Sequence, residues 1–101
     1  MPDRWLAAVL GRIRRLASAR EVVFTLKALR ELVELDLDPE EACDVLARLT
    51  EADAEGRLRS LRTGEWMYVF KPQIEGVVVY LKLIVRKECV VISFHEDEAE
   101  H

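Results

Sequence analysis

Residues 76–95 read Gly76-Val-Val-Val-Tyr80-Leu-Lys82-Leu-Ile-Val-Arg86-Lys-Glu-Cys89-Val-Val-Ile-Ser93-Phe-His95, two β-branched runs separated by a short charged break. Such runs are expected to pair as an antiparallel hairpin. With Lys87-Glu88 as a two-residue turn, Arg86 faces Cys89, Val85 faces Val90, Leu83 faces Ile92, Leu81 faces Phe94 and Tyr80 faces His95. One face of the ribbon is then apolar, while the other carries Tyr80, Lys82, Arg86, Ser93 and His95. A one-residue slip would turn His95 toward the core, and the matched apolar face argues for the chosen register.

Working back from the hairpin, further strands are expected at 66–71 and, more weakly, at 58–61 before the Thr63-Gly64 turn. Upstream of Asp53 the period is helical. Residues 3–18 place Leu6, Val9, Leu10, Ile13 and Leu16 on one stripe, with Asp3 as N-cap and a basic outer side. A second helix is expected from Thr25 through Leu29, Leu32 and Val33. A third starts at Asp38-Pro39-Glu40-Glu41, where Asp38 and Glu41 form a capping box and Pro39 fits the first turn. A short extended piece at 22–24 completes the plan. The fold class is therefore α+β, with three N-terminal helices packed on one face of an antiparallel sheet.

The 101 residues suffice for one domain and one core, here taken as residues 1–95 followed by an acidic tail at 96–101. Glu96, Asp97, Glu98 and Glu100 lie in that tail, and without them the net charge of −4 becomes zero. The acidic sum therefore does not exclude a nucleic-acid ligand. The longest apolar run, 77–81, is too short to cross a bilayer, and Arg12, Arg14 and Arg15 interrupt the N-terminus where a signal peptide needs an apolar core. The chain is expected to be soluble and cytoplasmic, without membrane association. Cys43 and Cys89 sit in apolar stretches with no nearby His or second Cys, which suggests buried thiols and neither a metal site nor a disulfide.

A phenol, an imidazole and cations on an open sheet suit RNA cleavage without metal or other cofactor. The 2′-hydroxyl needs a base, the 5′-oxygen an acid and the phosphorane cations. His95 is suited to proton transfer near neutral pH. Tyr80 can donate to the phosphate or stack on a base. Lys82, Lys71, Arg57 and Arg59 can hold the phosphate if they border the same face, with Arg62 close by. On pattern alone an ordinary solvated surface is the commoner reading of these residues. Trp66 and Phe70 read as core or rim packing.

A resemblance sharpens this reading. The blocks LDLDPEEACDVLARLTEAD (35–53), W-x-x-V-F-K-P (66–72), VYLKLIV (79–85) and VVISF (90–94) resemble, in order and spacing, the MqsR (motility quorum-sensing regulator) toxins of the RelE-like superfamily. The resemblance implies a ribonuclease toxin scaffold, cleavage of messenger RNA, and a neutralising antitoxin with zinc-binding and DNA-binding domains. Of the four positions carried over from the family's motifs, Tyr80 is kept. Gly56 and Met67 stand where the family has Lys and Gln, and His95 stands where it has Lys. Tyr80 and His95 are the expected catalytic pair. A toxin-fold binding module that has lost cleavage is the second reading, favoured by Gly56 and Met67, because Met67 lacks the hydrogen-bonding groups of Gln.

Overall fold

The computed structural model describes residues 3–98; of the expected tail, residues 99–101, Glu100 among them, lie outside these. Helix α1 spans Arg4–Ser18, strand β1 Val22–Phe24, helix α2 Leu26–Glu34 and helix α3 Pro39–Ala47. A 3-10 turn at Glu51–Asp53 leads into β2 (Ala54–Arg59), β3 (Trp66–Phe70), the two-residue β4 (Gln73–Ile74), β5 (Val77–Val85) and β6 (Cys89–Glu96). The sheet runs β1-β6-β5-β3-β2, with β4 folded back on β5. This is the expected α+β architecture, with two differences. The β1–β6 pair is parallel, so the sheet is mixed. The weakly expected strand at 58–61 begins instead at Ala54, while Ser60 takes Glu65 O into a turn.

The helix starts follow their sequence signals. Thr25 Oγ accepts from Ala28 N at 3.1 Å. Asp38 and Glu41 exchange both bonds of the capping box, with Pro39 in the first turn. Asp3 occupies the N-cap of α1 but makes no side-chain cap. The buried stripe of α1 is Leu6, Leu10, Ile13 and Ala17. It packs with Leu32, Leu46 and Leu49 against Phe70, Val79, Leu81, Leu83, Cys89, Val91 and Phe94 on the inner sheet face. Of the apolar residues of α2 named above, Leu32 is buried while Leu29 and Val33 are exposed.

The hairpin differs from expectation near its tip and agrees with it at the far end. Val85 faces Cys89, so the loop has three residues, Arg86 to Glu88. Pairing continues with Leu83 opposite Val91, then shifts, so that Lys82 faces Ser93, Leu81 faces Phe94 and Tyr80 faces His95. The extra residue is Ile92, a bulge that offsets the longer loop. Cys89 and Val91 thereby turn inward, which the unbulged register denied them, and Arg86 leaves the sheet face for the loop. There its guanidinium donates to both carboxylate oxygens of Glu65 at 2.8 and 2.7 Å, and its carbonyl accepts from Arg12 Nη2 at 2.7 Å.

The bulge is braced by α2. The Thr25 backbone N–H donates to Val91 O at 3.1 Å, and its hydroxyl to Ile92 O at 3.4 Å. Beyond β1, the open edge of β6 is met by Glu31, whose Oε1 accepts from Phe94 N at 2.8 Å.

Phe94 is fully buried at the centre of this arrangement. Phe94→Ala is expected to destabilise the domain by about 3–5 kcal/mol in urea unfolding. An effect below about 1 kcal/mol would mean that β6 does not pack here.

Candidate nucleic-acid site

The outer sheet face, turned away from α1 and α3, is built by alternation on β5 and β6. Tyr80 and His95 sit directly opposite each other, their rings stacked with centroids 5.3 Å apart and planes 12° apart. Lys82 pairs with Ser93 one step further along. His95 Nδ1 lies 2.9 Å from Glu96 O. A carbonyl oxygen only accepts, so Nδ1 carries the proton and Nε2 is the nitrogen free to take one. Among the described residues neither the Tyr80 hydroxyl nor the Lys82 ammonium is drawn into a hydrogen bond or ion pair. The face also has an apolar half, since Val69 and Ile84 point the same way and are buried.

Next to Tyr80 a shallow cleft of about 250 Å³ opens between β5 and the β2–β3 pair, lined by Gly56, Leu58, Val69 and Lys71 among others. Gly56 forms part of a bulge in β2, where the register shifts between Ala54 and Gly56 at a φ of +149°. A Cβ there would meet nothing within 4 Å, but the backbone angle itself disfavours any side chain. The backbone geometry at this position therefore favours glycine, where the resemblance drawn from the sequence implied a Lys. The extra residue of the bulge, Glu55, turns its carboxylate to Lys71.

Lys71 reaches this cleft as expected, but its charge is shared. Its ammonium lies 3.5 Å from Glu55 Oε1 and 3.4 Å from Asp97 Oδ2. Partial desolvation works to lower its pKa, and the two carboxylates more than offset this, raising it above the ordinary lysine value. The first residues of the expected tail are therefore structured. Glu96 ends β6, and Asp97 donates its N–H to Val78 O at 2.8 Å.

Arg57 is among the residues lining the cleft, but the side chains of Arg57 and Arg59 do not turn to this face, which was the condition for their holding the phosphate. They pair with Tyr68 and Trp66, whose side chains alternate with those of Met67 and Val69, and so point to the helix side. The Arg57 guanidinium stacks 4.7 Å from Trp5 and 3.9 Å from Trp66, and that of Arg59 lies 3.9 Å from Trp66. These cation–π contacts close the rim of the core beneath the sheet. Arg57 consequently does not restore the cation missing at Gly56. Trp66 and Phe70 take the packing roles read for them, at the rim and in the core. Arg62 is exposed in the turn after β2.

Two residues of α2 complete the outer face and were not anticipated. Lys27 Nζ lies 3.1 Å from Ser93 Oγ and 2.8 Å from Glu31 Oε2. Burial acts to raise the Glu31 pKa, but the Lys27 ammonium and the Phe94 N–H outweigh it, holding the carboxyl below 4.5. The only sequence signal for this pair was the spacing Lys27-x-x-x-Glu31, whose link to β6 lies 63 or more residues away and is invisible to local pattern.

Both cysteines are buried free thiols, and burial raises Cys43 and pushes Cys89 up to about 12. Neither is a nucleophile at neutral pH. Among the described residues no group of three His, Cys, Asp or Glu side chains is placed to hold a metal ion, and no helix is long and apolar enough to cross a membrane.

Fold and face together define a small α+β domain with a cationic, imidazole- and phenol-bearing outer sheet surface. Comparison with known proteins carries this further. The family model described as "Motility quorum-sensing regulator, toxin of MqsA" matches residues 7–96. The chain is also 31% identical over 88 residues to the mRNA interferase toxin MqsR of Escherichia coli strain K12, a match that spans 86% of this chain and 90% of the relative. The chain belongs to the motility quorum-sensing regulator toxin family.

The Glu31 carboxylate gives a pH prediction. Its folded pKa is depressed, so its contribution to stability is complete above about pH 4.5 and is lost as pH falls through the lower folded value. Glu31→Gln should therefore be less stable than wild type near neutral pH in thermal melts, with the gap closing as the medium is acidified below the ordinary glutamate value. A gap independent of pH would remove the ionised carboxylate from the account.

Proposed function

We propose that this chain is the toxin of a type II toxin–antitoxin pair, an endoribonuclease that cleaves messenger RNA without a metal ion, through the substrate's own 2′-hydroxyl. The observation that carries this reading is the stacked Tyr80–His95 pair on a cationic sheet face in a chain of the motility quorum-sensing regulator toxin family. The printed name of the Escherichia coli relative, an mRNA interferase toxin, supports the same substrate.

The chemistry follows from the groups present. His95 Nε2 takes the proton of the 2′-hydroxyl, and the 2′-oxygen bonds to phosphorus. The phosphorus–O5′ bond breaks, and the leaving oxygen takes the Tyr80 phenolic proton, which solvent replaces. The products are a 2′,3′-cyclic phosphate and a 5′-hydroxyl. Lys82, unpaired among the described residues, offsets the charge that develops on the phosphorane. Lys71 borders the cleft, and its neutralisation by Glu55 and Asp97 makes it a weaker phosphate ligand than Lys82.

The partner of such a toxin is an antitoxin, and the reading carried from the family is a protein with zinc-binding and DNA-binding domains that covers this face or adds a strand to a sheet edge. The free outer strand β2 is the longer of the two edges. Gly56 and Met67 favour a second reading, in which the scaffold binds RNA or antitoxin but no longer cleaves.

Purified chain incubated with a defined RNA in EDTA decides between them. Cleavage should persist in EDTA and fall by roughly 100-fold or more in His95→Ala, the scale of losing a general acid or base, with a smaller loss in Tyr80→Phe. No cleavage by folded wild type, with or without ribosomes, would leave the binding module as the function.

A further inference from the structure

The placement of Lys27 is poorly explained by the stability of its own helix. It occupies the second position of α2, after the Thr25 cap and Leu26, where the helix dipole disfavours a cation and no acid lies in the first turn. Its pairing with Glu31 runs Lys to Glu in the chain direction, the less favourable order for an i,i+4 pair. Both local preferences are overridden at one residue, a pattern that marks functional positions.

What the placement achieves is spatial. Both oxygens of Glu31 are committed, Oε1 to the Phe94 N–H at 2.8 Å and Oε2 to Lys27 Nζ at 2.8 Å. The carboxylate thus ties the ammonium to β6 and holds it 3.1 Å from the hydroxyl of the buried Ser93. Ser93 faces Lys82 across the ladder and lies on the same face as His95, two residues on. Ser93 thus adjoins two lysines, Lys27 through its ammonium and Lys82 as its ladder partner, on the face that carries His95. An ammonium has three donors, and two of those on Lys27 are spent within the protein, while its side chain remains 58% exposed.

We propose that Lys27 is a phosphate-binding residue of this site, taking the backbone phosphate of single-stranded RNA next to the one held at Tyr80, His95 and Lys82. The inference rests on reading this face as the RNA site. It extends the track across Ser93 onto the first turn of α2, so that sheet and helix each supply one lysine, and it gives Glu31 the role of a positioning residue for Lys27.

The test uses binding, which does not require catalysis. Fluorescence anisotropy would follow a labelled single-stranded RNA of mixed sequence, with 2′-O-methyl groups throughout so that it cannot be cut, over a range of salt concentrations. Wild type, Lys27→Gln and Lys27→Arg would be compared, each confirmed folded by circular dichroism. Gln keeps a donor for Ser93 and removes the charge. The expected result is several-fold weaker binding by Lys27→Gln, with the slope of log affinity against log salt reduced by about 0.7, the value for one phosphate on a single strand. Lys27→Arg should restore the slope, which a merely structural lysine would not alter in the first place. Equal affinity and slope in wild type and Lys27→Gln would overturn the assignment of Lys27 while leaving the RNA site standing. Wild type that binds no RNA would overturn both.

Discussion

The outer face depends on how β6 is held at Ile92. Strands alternate their side chains with a period of two, so a single inserted residue decides which groups face solvent and which face the core. Here the three-residue loop at Arg86 to Glu88 shifts the ladder by one, and the Ile92 bulge shifts it back. Without the second shift, His95 would lie against the helices and Tyr80 would lose its stacking partner. Thr25 stabilises the bulge by bonding to the carbonyl of Ile92 and, through its backbone, to that of Val91. The start of α2 thus fixes the site from outside the sheet.

The same helix solves an edge problem. β1 pairs with β6 only from Cys89 to Val91, and a bare edge beyond it would leave unpaired N–H groups open to another chain. Glu31 accepts from Phe94 N, and Lys27 reaches over to Ser93. These contacts join folding to function, because the residues that close the edge also bring a cation to the face that carries Tyr80 and His95. On the other side of the sheet, Arg57 and Arg59 are held by Trp5 and Trp66 and serve packing.

Much of this was legible in the sequence, for identifiable reasons. The helices announce themselves through 3.6-residue stripes and through caps such as Asp38-Pro39-x-Glu41, which are local signals. The Tyr80–His95 pairing was also legible, because the apolar residues Leu81 and Phe94 beside it admit only one register at that end. The loop at the tip and the bulge were not, since their offsets cancel and leave no trace in the far pairings. The direction of Arg57 was hidden behind a second bulge, at Glu55 and Gly56, and the roles of Lys27 and Asp97 depend on contacts between distant parts of the chain. The site is thus best read from sequence where its residues share a regular hairpin, and worst where bulges and α2 enter.

The three residues that differ from what the resemblance implied have separate physical consequences. Gly56 follows from a backbone angle that disfavours a side chain, Met67 lacks the amide of a Gln, and His95 places an imidazole with a free Nε2 where the resemblance implied an amine. If the imidazole works on the substrate's 2′-hydroxyl, cleavage requires that hydroxyl at the scissile nucleotide. The most direct measurement is therefore cleavage of two otherwise identical RNAs, one with a single 2′-deoxy substitution at the mapped cleavage position. The account predicts that the substitution abolishes cutting there and that the unsubstituted RNA yields a 2′,3′-cyclic phosphate end. Undiminished cutting at the deoxy position, leaving a 3′-hydroxyl, would contradict it.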